Sequence, residues 1–547
     1  MPLYLGLDCS TQSLTACVLD IDEHRRDIVF QSSLQFDEAL PAYGTRHGVL
    51  PHADPSVVRS PPCMWADALD LMMARLARSG LDLDRLAAMS GSAQQHGSVY
   101  CCASADRAWR NLDVRQSPGE QLADSLARPV SPVWLDSSTS RECAELTAAV
   151  GGSDALAQTT GSRAFERFTG PQIRKVFKTE PAAYASTDRI HLISSFLASL
   201  LAGHHAPIDP GDGSGMNLMD LATNEWWPPA VEASAPGLAA KLPPISPSST
   251  IVGTLSAYWQ RRHGLPPSRI VAWSGDNPCS LIGTGLVREG NIAISLGTSD
   301  TIFGLMREPR VDSGGTGHVF GAPTGDYMGL TCFSNGSLAR ERVRDAFGLT
   351  WNQFSDALGA TAPGNDGRIL LPWFEPEITP AVAHPGARRY GLDAGDAAGN
   401  VRGVVEAQQL ALARHSQWMG VDVRTIHATG GAAANRVILQ VMADVFGADV
   451  YQFDVGNTAC LGAALRAFHG DVIAAGGSIE WADVVRGIAE PVAATRIRPD
   501  PDRHAMYNEL MRVHAACESH ALGRGGEPGE AIQRFRQRTP SSKSTTS

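Results

Sequence analysis

The chain has 547 residues, too many for one hydrophobic core, so two domains of roughly 250 residues are expected. Its composition, 43% hydrophobic and 19% charged, is that of a globular protein, and its net charge of −11 argues against nucleic-acid partners. Only Lys175, Lys178, Lys241 and Lys543 are lysines, and none follows a glycine-rich loop, which excludes a Walker-A phosphate site. The ten cysteines form no C-x-x-C pair, no apolar run approaches membrane-spanning length, and the N-terminus lacks a basic start with a cleavable apolar core. A cytoplasmic protein with reduced thiols and no membrane partner is the expectation.

Tyr4 to Asp20 reads as two apolar strands around a small polar turn, Ser10-Thr11-Gln12, with Asp8 closing the first strand. Such a tip offers amides and hydroxyls to phosphate oxygens, and Asp8 offers a carboxylate to Mg²⁺; a plain polar-tipped hairpin is the alternative. Ala66 to Arg78 carries Leu69, Met72, Met73 and Leu76 on one helical face and ends at Ser79-Gly80. The strand Leu86–Gly91 runs into Gln94-Gln95-His96-Gly97, a strand end where α/β proteins place ligand contacts, although a lone histidine is as readily structural. Cys101-Cys102 lie in a further strand-like run and read as buried thiols. A strand around Val133 stops at Asp136, whose role is left open, and Thr139 or Ser140 is expected to cap a helix from near Arg141. Arg167 is a candidate anchor for hydroxyls. Residues 206–221 read as a loop over a site, and the prolines between 228 and 247 as a domain boundary, giving domains of 1–255 and 256–520.

Ile270–Ser274 is a strand that runs into Gly275-Asp276-Asn277-Pro278, and Cys279–Val287 suits a helix. A carboxylate at 276 can take a proton from a substrate hydroxyl within reach, with an Asx turn or helix cap as an equal alternative. Asn291 to Gly304 then repeats the plan of the first hairpin, its turn being Gly297-Thr298-Ser299. Two such hairpins suggest an α/β protein of two actin-like (ribonuclease H-like) domains with a central cleft, holding a polyphosphate between their turns. Thr425–Thr429 is a strand, Gly430-Gly431 a tight turn and Asn435–Phe446 a helix ended by Gly447, an arrangement that lets a base or phosphate approach the backbone. The tail, 521–547, reads as disordered.

In order, the segments at 8–13 (Asp-Cys-Ser-Thr-Gln-Ser), 94–97 (Gln-Gln-His-Gly), 134–139, 166–170 (Glu-Arg-Phe-Thr-Gly), 275–278, 295–301 and 429–435 resemble the FGGY carbohydrate kinase family over about residues 3–500, and within it the xylulose kinases of the eukaryotic type. The resemblance implies ATP and Mg²⁺ as cofactors and a small sugar as substrate, D-xylulose becoming D-xylulose 5-phosphate. It implies Asp8 at the metal, and Ser10, Thr11, Gln12, Gly297, Thr298, Ser299, Trp351, Gly431, Ala432 and Asn435 at the nucleotide. It places His96, Arg167, Asp276 and Asn277 on the sugar, with Asp276 as base. Ribulose, L-xylulose or a sugar-independent actin-like ATPase are the alternatives, and a monomer or homodimer is expected. Two departures cloud the subfamily rather than the chemistry: residues 173–181 lack a tryptophan common in bacterial members, and Arg389 stands where an apolar residue is usual. His96-Gly97 replaces the Arg-Glu pair of glycerol kinases, which favours a ketopentose over glycerol.

Overall fold

A computed structural model describes residues 2–22, 25–453 and 456–538. Leu3–Cys9 pairs antiparallel with Ser13–Ile21, and that strand with Arg26–Gln35. On its other edge Leu3–Cys9 pairs in parallel with Leu86–Ala93, beyond which lie Arg269–Val271 and the edge strand Ile251–Thr254. The second half repeats this order around Asn291–Leu296. It pairs antiparallel with Asp300–Met306 and in parallel with Thr425–Thr429, with Tyr327–Phe333 and Asp449–Gln452 outside them and Gly317–Gly321 on one edge. The duplication expected from two hairpins is thus a duplication of whole sheets.

The strands read as near-continuous apolar runs because both faces of each sheet are covered. In the first sheet, Leu3, Leu5 and Leu7 face a core with Met64, Trp65 and Phe196, while Tyr4, Leu19 and Ala88 face Leu461, Ala464 and Leu465. The latter belong to the helix Thr458–Ala474, which comes from the far end of the chain to lie on the first sheet. Its crossing with the helix Asp276–Gly283 is so close that a Cβ on Gly283 would sit 1.9 Å from the Thr458 carbonyl oxygen, and one on Gly462 1.8 Å from that of Cys279. Arg466, 1% exposed, fastens the same helix by donating to the carbonyls of Gly91 (3.3 Å) and Ala272 (2.7 Å).

Several expectations are corrected. The boundary after 255 falls too early: Arg269–Val271 and Ser274–Gly275 pair with Leu86–Ala93 inside the first sheet. The crowded prolines mark turns and a helix start (Pro228) within the first half, because proline reports a local φ constraint and not a domain edge. Residues 206–221 are not an open loop but short helical turns and a strand, almost wholly buried. The tail is not disordered throughout: Gly529–Arg538 is a helix that buries Ile532 and Phe535 in the second core, while 539–547 lie outside the described residues. The helices expected at 66–78 and 279–287 begin earlier, at Pro62 and Asp276. Cys101 is buried and Cys102 partly exposed, both free thiols.

Candidate active site

Strand register assembles the first cluster. Asp8 is opposite Ser92 across the parallel pair, and Ser92 is opposite Ser274 on the next strand, so Asp8 and Asp276 sit at the same carboxyl end of one sheet. Adjacent strands are about 4.8 Å apart, which puts these two acids on the order of 10 Å from one another along the sheet edge. The Asp8 carboxylate accepts from Ser92 Oγ at 2.5 Å. Burial raises it to about 6 despite that hydrogen bond. Asp276 is the first residue of its helix, Gly275 holding the cap position, and so the side chain is not a cap. Its Oδ1 accepts from its neighbour Asn277's backbone N–H at 2.9 Å. Burial and then the negative charge of Asp8 push the Asp276 carboxyl to about 7, against the hydrogen bonds that favour its ionised form.

Asn277 Nδ2 donates to Gln95 Oε1 at 2.9 Å, and Gln95 Nε2 donates to the Gly211 carbonyl at 3.2 Å. Gln95 therefore orients Asn277; it stood in the quoted Gln-Gln-His-Gly segment, but only the folded contact distinguishes it. Next to it, His96 adopts a φ of 73°, a conformation uncommon outside glycine and concentrated at functional sites. Its ring stacks on Phe168 with centroids 4.4 Å apart, and Nδ1 donates to the Gly215 carbonyl at 2.7 Å. Burial, then the positive charge of Arg167, lowers His96 to about 3, so the ring is neutral and its Nε2 is a bare acceptor. Arg167 lies over Phe165 and Phe168, its carbon centre 5.2 and 5.8 Å from their rings, with Nη2 3.1 Å from His318 Nε2. His318 belongs to the second half and had no sequence signal.

The remaining expected residues divide between the two hairpin tips and a cavity. At the first tip, Ser10 N–H donates to the Ser13 carbonyl at 2.9 Å, and Thr11 Oγ1 accepts from the Trp134 indole N–H at 2.8 Å. Gln12 is exposed. Against the second sheet lies a cavity of about 730 Å³ that Gly297, Thr298, Trp351, Gly431, Ala432 and Asn435 all line. Its volume is in the range that encloses a nucleotide-sized ligand. Ser299 is exposed and lies outside that lining, and the first-hairpin residues Ser10, Thr11 and Gln12 are outside it too. Gly430 has φ 85°, and a Cβ there would stand 2.6 Å from the Leu296 carbonyl, which is why the turn can tuck under the hairpin. Asn435 is the cap of the helix Arg436–Phe446, accepting from the N–H groups of Val437 and Ile438, while its Nδ2 donates to Ser355 at 2.7 Å. Trp351 is 43% exposed with the Arg344 guanidinium 4.4 Å over its ring. Sequence reasoning missed Arg340, which lines this cavity and pairs with Asp300 at 3.0 Å in full burial.

Two open questions close as structural roles. Asp136 is 2% exposed and accepts from the N–H groups of Val58 (2.9 Å) and Ser138 (3.0 Å) and from Gln172 Nε2 (2.8 Å). Thr139 occupies the expected cap position, but its hydroxyl donates to the Glu166 carbonyl and accepts from no helix N–H.

Two like sheets, each led by a polar-tipped hairpin, define a two-domain actin-like fold of the sugar-kinase type. Family models for the N-terminal and C-terminal domains of the FGGY family of carbohydrate kinases match residues 117–283 and 292–470. The chain is 42% identical over 541 residues to the xylulose kinase of Mus musculus, covering 96% of each chain. It is likewise 42% identical over 495 residues to xylulose kinase 2 of Arabidopsis thaliana, covering 86% and 87%. The crystal structure of xylulose kinase from Rhodospirillum rubrum matches with a TM-score of 0.79 at 21% identity, over 95% of this chain and 99% of that one. This chain belongs to the FGGY family of carbohydrate kinases.

Proposed function

We propose that the chain catalyses ATP-dependent phosphorylation of D-xylulose at its terminal hydroxyl, giving D-xylulose 5-phosphate. The reading rests on one observation above others: Asp276, with a raised pKa, stands at the sheet end beside a ready-made set of hydroxyl-reading groups, Asn277, Gln95 and His96. The xylulose kinases among its relatives point to the ketose.

Asp276 is the base. A carboxylate with a pKa near 7 is half ionised at neutral pH and matched to taking a hydroxyl proton. Phosphoryl transfer runs through a loose transition state, so Asp276 orients the hydroxyl as much as it deprotonates it. Asn277 and Gln95 hold that carboxylate's surroundings, His96 Nε2 accepts from one sugar hydroxyl, and the free N–H groups of Arg167 donate to others. The amides of both hairpin tips take the phosphate oxygens, with the base of ATP between Trp351 and the Gly431-Ala432 backbone. Asp8 fits a magnesium ion: one oxygen is held by Ser92, the residue is half-buried at a strand end, and Mg²⁺ takes one or two carboxylates along with water and phosphate oxygens. When bound, the ion neutralises charge on those phosphate oxygens.

The test is a coupled assay of ketopentoses and polyols with ATP and Mg²⁺. D-xylulose is expected to give the highest kcat/KM. A higher value for D-ribulose, L-xylulose or glycerol would reassign the substrate, and ATP turnover indifferent to every sugar would remove the kinase reading.

A further inference from the structure

The edge strand Gly317–Gly321 of the second sheet is buried along its whole length, which an edge strand facing water is not. Its free edge is satisfied by the first half: Val319 N–H donates to the Gly161 carbonyl and Gly321 N–H to Ser214 Oγ, each at 3.0 Å. The strand is therefore a seam between the two halves, and His318 lies on it. The His318 ring packs on Phe165 (4.8 Å) and Phe168 (5.6 Å), the aromatic residues that also carry Arg167 and His96.

The hydrogen bonds determine the state of this ring. A guanidinium only donates, so His318 Nε2, 3.1 Å from Arg167 Nη2, is the unprotonated acceptor; Nδ1 then carries the hydrogen and donates to Ser162 Oγ at 3.1 Å. Arg167 has no carboxylate within ion-pair distance among the described residues, so its direction depends on this one acceptor and on the two phenyl faces. That acceptor comes from the half that carries the nucleotide cavity.

The geometry points to His318 as a positioning residue that aims the Arg167 guanidinium into the sugar site, so that the grip on sugar depends on the seating of the nucleotide half against the first. This rests on the reading of Arg167 as a sugar contact. It differs from that reading in placing part of the sugar site's precision on the opposite domain.

Two substitutions separate aim from packing. Gln at 318 carries its oxygen near the Nε2 position and keeps an acceptor for Arg167, whereas Asn keeps only the atom that faces Ser162. His318→Asn is expected to raise the KM for D-xylulose about tenfold or more, the scale of a lost hydrogen bond to a charged group, with the KM for ATP and kcat within about twofold. His318→Gln is expected to stay within about threefold of the parent for the sugar. Arg167→Gln should raise the sugar KM at least as much, and adding His318→Asn to it should change nothing further. Equal losses in the Asn and Gln variants, a matching rise in the KM for ATP, or additive effects in the double variant would overturn the proposal. An unchanged sugar KM in Arg167→Gln alone would instead remove the underlying sugar contact. Ser162→Ala leaves the ring in place but frees its tautomer; it is expected to raise the sugar KM by about two- to fivefold, and no rise would count against the proposal even if His318→Asn fails to fold.

Discussion

The proposed role of Asp276 follows from where it is held. A carboxyl raised to about 7 by burial and by Asp8 is protonated in acid and cannot accept a proton there, so kcat/KM is expected to climb as pH rises toward about 7 and to level off above it. Asp8, raised to about 6, titrates beside it, so the acid limb belongs to the pair and spans the interval between these values. Asp276→Ala should lower kcat by about 10²–10⁴, and turnover at the parental rate would exclude it as the base. The same raised pKa has a cost in stability. A carboxyl whose folded pKa lies above its unfolded value binds more protons folded, so its ionisation erodes stability as pH rises from about 4 to about 7. Asp276→Asn should therefore melt higher than the parent at pH 8, by about 1–4 °C, with the gain fading toward pH 4. A lower melting temperature at pH 8 would contradict the burial cost.

At the level of elements, the helix Gly529–Arg538 shows how a segment of polar composition becomes part of a core. Most of its residues are charged or polar, and only Ile532 and Phe535 enter the second core, at 8% and 4% exposure. Phe535 packs over the turn at Gly364 and Gly367. Phe535→Ala is expected to destabilise the protein by about 3–5 kcal/mol through the cavity it leaves, measured by denaturant unfolding. A change within about 0.5 kcal/mol would mean that the helix rests on the surface without contributing. The helix Arg436–Phe446 makes the opposite case. Its span and its end at Gly447 were legible in the sequence, but Asn435, read there as its first residue, is its cap, and that is the reason Asn435 stands at the cavity wall.

For the whole molecule, the contact that matters most is the crossing of Asp276–Gly283 with Thr458–Ala474, since the first of these helices begins at the proposed base and the second ties the far end of the chain to the first sheet. Gly462→Ala would force a methyl into the Cys279 carbonyl and push the helices apart. Overpacking of this kind costs typically about 1–3 kcal/mol, and here the displacement would also shift Asp276. The variant is expected to lose both melting temperature and kcat, while KM for ATP, read at the far cavity, changes little. Loss of stability with kcat intact would uncouple this crossing from catalysis.

The sequence alone determined the local features whose physics is local. The alternation of apolar strands and small polar turns identified both hairpins, a Gly-Gly turn marked Gly430 and Gly431, and acids at strand ends marked Asp8 and Asp276. The tertiary structure decided what depends on partners far along the chain. It moved the domain boundary, because membership of a sheet is set by hydrogen-bonded neighbours up to 182 residues away and not by nearby prolines. It made Asp136 a structural hub and brought Gln95, Arg340 and His318 to the candidate site, because a single polar residue acquires a role only when folding supplies its hydrogen-bond partner and removes the water that would otherwise take its place.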